Sequence, residues 1–352
     1  MSFLNKNFFI KFFIVDTIFF LVFYITFITT FPIKEIVESN RGMISEKTGK
    51  KIKYKDISLG FDLSIKLNDL EIITIPENIT SSKKKNISKN KKDNDSSTTS
   101  GKNKKEKEPL VLMIKSLSIK PKIMKMLSSK KADIDFNADL MGGNISGNFK
   151  VIDDSKRETK KTKKIKRKSR KKIEKNKISL NLSDINLMKI SKYLELKLPY
   201  SGKLTGDIDI IFATRRGKPM VSFLDIDLDM KGAKLGPGKV KAVGAYATVD
   251  PIKLGDFTIK GKTAKNSSKF KFEPLKIDSS DFEASLDGTI TFGRSIMPNL
   301  KLKFKFTEQL LKTSKKIKTI MGLISNMKRK DGYYGVKLTG TFKHLRQRPW
   351  KR

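Results

Sequence analysis

Three observations in this 352-residue chain predict a mainly β protein, with one N-terminal transmembrane helix ahead of an extended, mostly antiparallel sheet and two or three short helices. Phe12 to Phe31 reads FFIVDTIFFLVFYITFITTF, with Asp16 as its single charge. A helix of that length matches the bilayer hydrocarbon, about 30 Å. From Lys50 onward apolar residues recur with period two, the mark of strands with one wet face, and such strands pair antiparallel. Glycine- and proline-rich turn signals separate these runs.

The apolar run reads as a retained anchor. A cleaved signal peptide has a core of roughly 7–15 residues and a small-x-small cleavage site. This run is longer and ends Ile28-Thr29-Thr30-Phe31-Pro32. Asp16 and Lys11 stand near its start, where both side chains reach toward the headgroups. No later run is comparable, so a single crossing is expected, with residues 1–32 as tip and anchor. Lys6 and Lys11 precede the span, whereas Lys34, Arg41, Lys47, Lys50, Lys51 and Lys53 follow it. The positive-inside rule weakens for long translocated domains, so charge alone leaves the orientation open.

Residues 33–49 predict a juxtamembrane helix, with Pro32 at its start, Ile33, Ile36, Val37 and Ile44 at helical spacing, and Gly49 at its end. Residues 50–352 form the β-rich domain. Alternating runs begin with Ile57, Leu59, Phe61, Leu63, Ile65 and Leu67, read as one strand. They continue at Ile134–Leu140, Leu204–Phe212, Leu224–Met230, Phe282–Phe292, Leu300–Phe306 and Tyr334–Phe342. The turn signals are Met141-Gly142-Gly143-Asn144, Arg216-Gly217-Lys218-Pro219, Gly236-Pro237-Gly238 and Asp331-Gly332. Two helices interrupt the pattern. Asp184 is expected to cap one carrying Leu187, Ile190 and Leu194, and Thr307 a longer one carrying Leu310, Leu311, Ile317, Ile320, Met321, Ile324 and Met327.

Seven residues stand out as a candidate apolar groove or core face: Leu224, Ile226 and Leu228 on one strand, Leu300, Leu302, Phe304 and Phe306 on another. Such a face must be covered by helices, a second sheet or lipid. Asp225, Asp227 and Asp229 alternate with the first group and read as partners for neighbouring lysines.

The net charge of +40 invites a nucleic-acid reading, but its distribution argues otherwise. Two lysine-rich insertions, about 77–108 and 153–177, read as disordered loops, and Lys83 to Lys107 and Ser155 to Lys177 within them carry 19 of the 40 charges. Only 11 of the 76 basic residues are Arg, the side chain suited to bidentate grip on bases and phosphates. Lys, Ile, Asn, Phe and Ser in abundance are what an AT-rich coding sequence produces. A general affinity for anionic lipids ranks next, and nucleic acid is not an expected partner.

Catalytic, cofactor and metal sites are not expected. The lone histidine, His344, sits among basic residues without a nearby acid or nucleophile. The glycines form no phosphate-cradling motif. Without cysteine, neither disulfides nor thiolate metal sites can form.

The order of anchor, short helix, Thr48-Gly49-Lys50-Lys51-Ile52 and Leu67-Asn68-Asp69-Leu70-Glu71-Ile72 resembles the start of AsmA-like envelope proteins. The remainder resembles GspN, an accessory inner-membrane protein of type II secretion systems. The segments concerned are Ala138 to Gly147, Leu198 to Gly206 and Asp331 to Phe342. The resemblance implies a non-enzymatic, single-pass bacterial inner-membrane protein with its large domain in the periplasm. It implies a curved sheet related to lipid-conducting folds, apolar on its concave side. Expected partners are the bilayer through Phe12 to Phe31, other secretion-system envelope proteins and anionic lipids. An AsmA-like lipid-binding or lipid-transfer protein is the alternative. The lysine-rich insertions depart from the family pattern.

Overall fold

The computed structural model describes residues 22, 26, 30, 32–74, 110–152, 175–215, 218–242, 245–264, 267–293, 295–341 and 344–351. The expected anchor, apart from Val22, Thr26 and Thr30, lies outside the described residues, as does the insertion at 77–108. Among the described residues no helix is long and apolar enough to cross a membrane. The chain divides into two compact units, Met1–Phe61 with Ile65–Lys115, and Asp62–Ser64 with Ser116–Arg352.

In the first unit, α1 (Ile33–Thr48) ends where Gly49 turns left-handed at φ 65° and donates its backbone N–H to the Ser45 carbonyl. Glycine takes that conformation without a Cβ penalty, so the helix stops there. Next come β1 (Lys50–Lys53), β2 (Asp56–Leu59) and β3 (Ile65–Thr74), with both short strands antiparallel to β3. The single strand expected over Ile57–Leu67 is therefore a hairpin in which Ile57 faces Leu67. Its turn has local causes. Leu63 is left-handed at φ 60°, and Asp62 accepts from both the backbone N–H and the hydroxyl of Ser64. Alternation counts residues and cannot see a chain reversal that preserves parity.

The second unit contains the later part of β4 (Leu110–Pro121), then α2 (Ile123–Ser129), β5 (Asp133–Leu140), β6 (Gly143–Ile152) and β7 (Lys175–Asn186). After α3 (Leu187–Tyr193) come β8 (Tyr200–Arg215), β9 (Lys218–Leu235) and the separate hairpin of β10 (Gly238–Ala242) and β11 (Ala245–Val249). The chain returns through β12 (Ile252–Thr263), β13 (Lys269–Phe272), β14 (Leu275–Asp278), β15 (Phe282–Thr291) and β16 (Met297–Phe306). It ends with α4 (Glu308–Thr313), α5 (Lys315–Leu323), β17 (Tyr334–Thr341) and β18 (His344–Pro349). In this unit the sheet order is β5-β6-β7-β8-β9-β12-β13-β15-β16-β17-β18, with β14 also on β15. Every register resolved is antiparallel, as period-two patterning requires.

Three further expectations differ from the structure. Lys175 to Lys177, assigned to the second insertion, begin β7 and pair with Ile211 to Ala213. The cap of α3 is Asn186, which accepts from the N–H groups of Met188 and Lys189, while Asp184 sits at a bulge in β7 with φ 54°. Thr307 does cap a helix, but Ser314 caps a second one, so the expected long helix is two short ones. Helix α2 was not expected at all.

The closed core of this unit lies under α4 and α5. Ala233, Val249, Ile252, Leu254, Leu310, Ile317 and Met321 are buried together there. Ser314 ties the helix pair to the sheet end by donating to Asp250 at 2.8 Å. That bond, followed by Lys316, holds the Asp250 carboxyl below its ordinary pKa.

Candidate functional site

Residues directly opposed in an antiparallel ladder share a face, so the registers define what each side of the sheet carries. Ile134, Phe149, Ile178, Ile210 and Leu224 form one row across β5 to β9. Phe136, Gly147, Leu180, Ile208 and Ile226 form the next, and Gly261 of β12 continues it. A third runs through Ala138, Ile145, Leu182, Gly206 and Leu228 to Ile259. On β15 to β17 the same side carries Leu286, Leu302 and Val336, beside Gly288, Leu300 and Leu338.

All seven candidate residues thus stand on one face. They divide into two environments. Phe304 and Phe306 pack against the closed core under α4 and α5, with Phe282 centroids at 6.0 and 5.2 Å, so they are core. Leu224, Ile226, Leu228, Leu300 and Leu302 are only half-buried and lie outside that cluster. The rows of Leu224 and Ile226 are half-buried from β5 to β9, whereas the row of Leu228 includes Ala138 and Leu182, which are buried.

Two aromatic rings fill gaps on this face. Phe136 lies over Gly147, and Phe270, wholly buried, lies over Gly261 and meets Phe272 edge-on at 4.9 Å. A ring over a bare glycine restores the apolar contact that a side chain would give. Thr263, at the margin of the face, is buried with its hydroxyl accepting from the Leu224 N–H at 3.0 Å. Among the described residues no buried side-chain nitrogen or oxygen lacks a partner. The face therefore offers apolar contact without polar recognition.

The opposite face is a polar ladder. Asn148 donates to Asp133 and Asp135, each at 2.8 Å, and Asn181 donates to Asp207 at 2.9 Å. Asp209 accepts from Ser179 at 2.5 Å and Lys177 at 3.0 Å. Burial pushes the Asp209 carboxyl up, but the Ser179 bond and Lys177 outweigh it and hold it below its ordinary value. Two of the three aspartates of β9 find the lysine partners expected of them, Asp225 with Lys262 and Asp227 with Lys260 at 2.9 Å, while Asp229 accepts instead from Thr258 at 2.7 Å. Lys260 is correspondingly raised, chiefly by its bond to Asp227. These exposed pairs place charge and contribute little stability.

The rows on β6, β7 and β12 were missed from sequence. Ile178, Leu180 and Leu182 do alternate with Ser179, Asn181 and Ser183, yet they follow directly on the lysine run that masks their start. On β6, Gly147 interrupts the alternation that Ile145 and Phe149 carry. Among the described residues no group of three or more acidic, histidine or cysteine side chains could hold a metal ion. His344 is exposed on the edge strand β18, opposite Thr341. No protein-family model matches the chain, and no curated protein or solved structure matches it either.

Proposed function

We propose that this is a non-enzymatic, membrane-tethered envelope protein whose second unit holds lipid acyl chains against its apolar sheet face. The observation that carries the reading is the set of three apolar rows across β5 to β9, continuous in register and half-buried along the rows of Leu224 and Ile226. Contiguous apolar surface of this extent marks a partner site, and a partner without polar demands suits a face without polar groups. Organic extraction and mass spectrometry of gently purified full-length protein tests it. Stoichiometric phospholipid is expected, and a lipid-free protein with a closed core would contradict it.

The accessory role in type II secretion is a second proposal, with Phe12 to Phe31 as anchor and the large domain in the periplasm. It is supported by the way two resembling segments fold: Ala138 to Gly147 makes the β5–β6 hairpin, and Asp331 to Phe342 leads a turn into β17. A topology reporter after Arg352 is expected to be active only outside the cytoplasm. Deletion of the gene is expected to lower export of secreted enzymes, and wild-type export would end this reading.

A further inference from the structure

Helix α2 is built the wrong way round for a helix held by its own fold. Its seven residues include none that is buried. Met124 is 81%, Leu127 70% and Ile123 38% exposed, so the large apolar side chains point away from the protein. At 100° per residue these three occupy one continuous arc of about 100°, and Met126, the half-buried one, lies at its margin, about 60° from Ile123. So short a helix is not stable on propensity alone. A single exposed leucine is ordinary, but three clustered apolar side chains mark a contact surface.

The surroundings of that arc are basic. Between Lys120 and Ala132 the chain carries Lys122, Lys125, Lys130 and Lys131 and no acid. Lys122 turns back to the sheet, 2.7 Å from Asp135 and 3.6 Å from Asp133, and so pins the base of the helix. Lys125 and Lys130 are exposed, and the latter ends the helix in the left-handed conformation at φ 53°. Ser128 and Ser129 bond back to the Lys125 carbonyl, satisfying the last turn locally.

We propose that α2 is an interfacial wedge that docks the second unit on an anionic bilayer surface, with Ile123, Met124 and Leu127 entering the acyl boundary and Lys125 and Lys130 on the phosphates. Charge complementarity selects the occupant. Lysine heads over an apolar arc fit a surface that is anionic outside and oily beneath, which nucleic acid is not. The inference stands whether or not the sheet face holds acyl chains, because it concerns a different surface and a different readout.

The absence of native cysteine makes Leu127→Cys a unique labelling site in the full-length chain. An environment-sensitive fluorophore there is read after reconstitution into phosphatidylcholine vesicles with and without about 30% phosphatidylglycerol. Blue-shifted emission quenched by acyl-chain nitroxides is expected in the anionic vesicles. Lys125→Glu with Lys130→Glu is expected to reduce that quenching by about tenfold. The same label on Leu323→Cys in α5, a site 49% exposed, is expected to stay aqueous, which separates docking through α2 from general adsorption, and far-UV circular dichroism of the variants checks that they remain folded. The proposal fails if the label at 127 stays aqueous in anionic vesicles, or if charge reversal leaves its quenching unchanged. It fails equally if the blue shift arises without vesicles, on self-association or on adding duplex DNA.

Discussion

The ring of Phe136 lies over the bare backbone of Gly147, its directly opposed residue on the neighbouring strand, so that a Cβ at Gly147 would come within 2.7 Å of the ring tip. The same Cβ would also collide with the Ser179 carbonyl of the next strand. A ring can swing aside, whereas a ladder carbonyl cannot.

Gly147→Ala is therefore expected to destabilise the protein by about 1–3 kcal/mol. Trimming the ring with Phe136→Leu is not expected to restore the loss, because the collision with Ser179 remains. Thermal unfolding of the single and double variants, followed by circular dichroism, checks both statements.

The two environments on the apolar face make a second prediction. Ile317 on α5 is 1% exposed within the closed core, so Ile317→Ala is expected to cost about 2–5 kcal/mol through lost burial and a cavity. Leu302 is half-buried outside that core cluster, and Leu302→Ala is expected to cost about 1 kcal/mol. Chemical denaturation of both variants measures the gap. Equal losses would mean that the face is closed over.

A third prediction concerns pH. Asp62 is held well below the usual carboxylate range, first by its bond to the Ser64 hydroxyl and then by Lys120 at 2.9 Å. Asp209 and Asp250 are held low by Ser179 with Lys177 and by Ser314 with Lys316. A carboxyl whose folded pKa is depressed contributes stability that is whole above its unfolded value, about 4, and is lost as pH falls below it. The melting temperature is thus expected to drop on acidification below about pH 4. Asp62→Asn, which cannot titrate, is expected to be less stable than the parent at neutral pH and to converge with it in acid. A gap that widens in acid would contradict the assignment.

Most strands were legible because period two survives wherever one face is dry. Leu300 to Phe306 reads the same in the chain and in β16. What alternation could not reveal was reversal and adjacency. The hairpin at Asp62 preserves the parity of Ile57 and Leu67, so the chain reads as one strand where two exist. Likewise nothing in Leu224 or Leu300 says that they share a face, which follows only from registers across β12 to β15. Helix α2 escaped notice for the reason that makes it informative: its apolar residues serve no core.

The central claim, that the apolar sheet face takes acyl chains, is tested most directly by a photoreactive amino acid placed in the full-length protein at Ile226 and, separately, at Asp227. The two positions are adjacent in β9 and point to opposite faces. Irradiation in native membranes is expected to give lipid adducts, identified by mass spectrometry, at position 226 and none at 227. Protein adducts alone at 226, or lipid at both positions equally, would contradict the account.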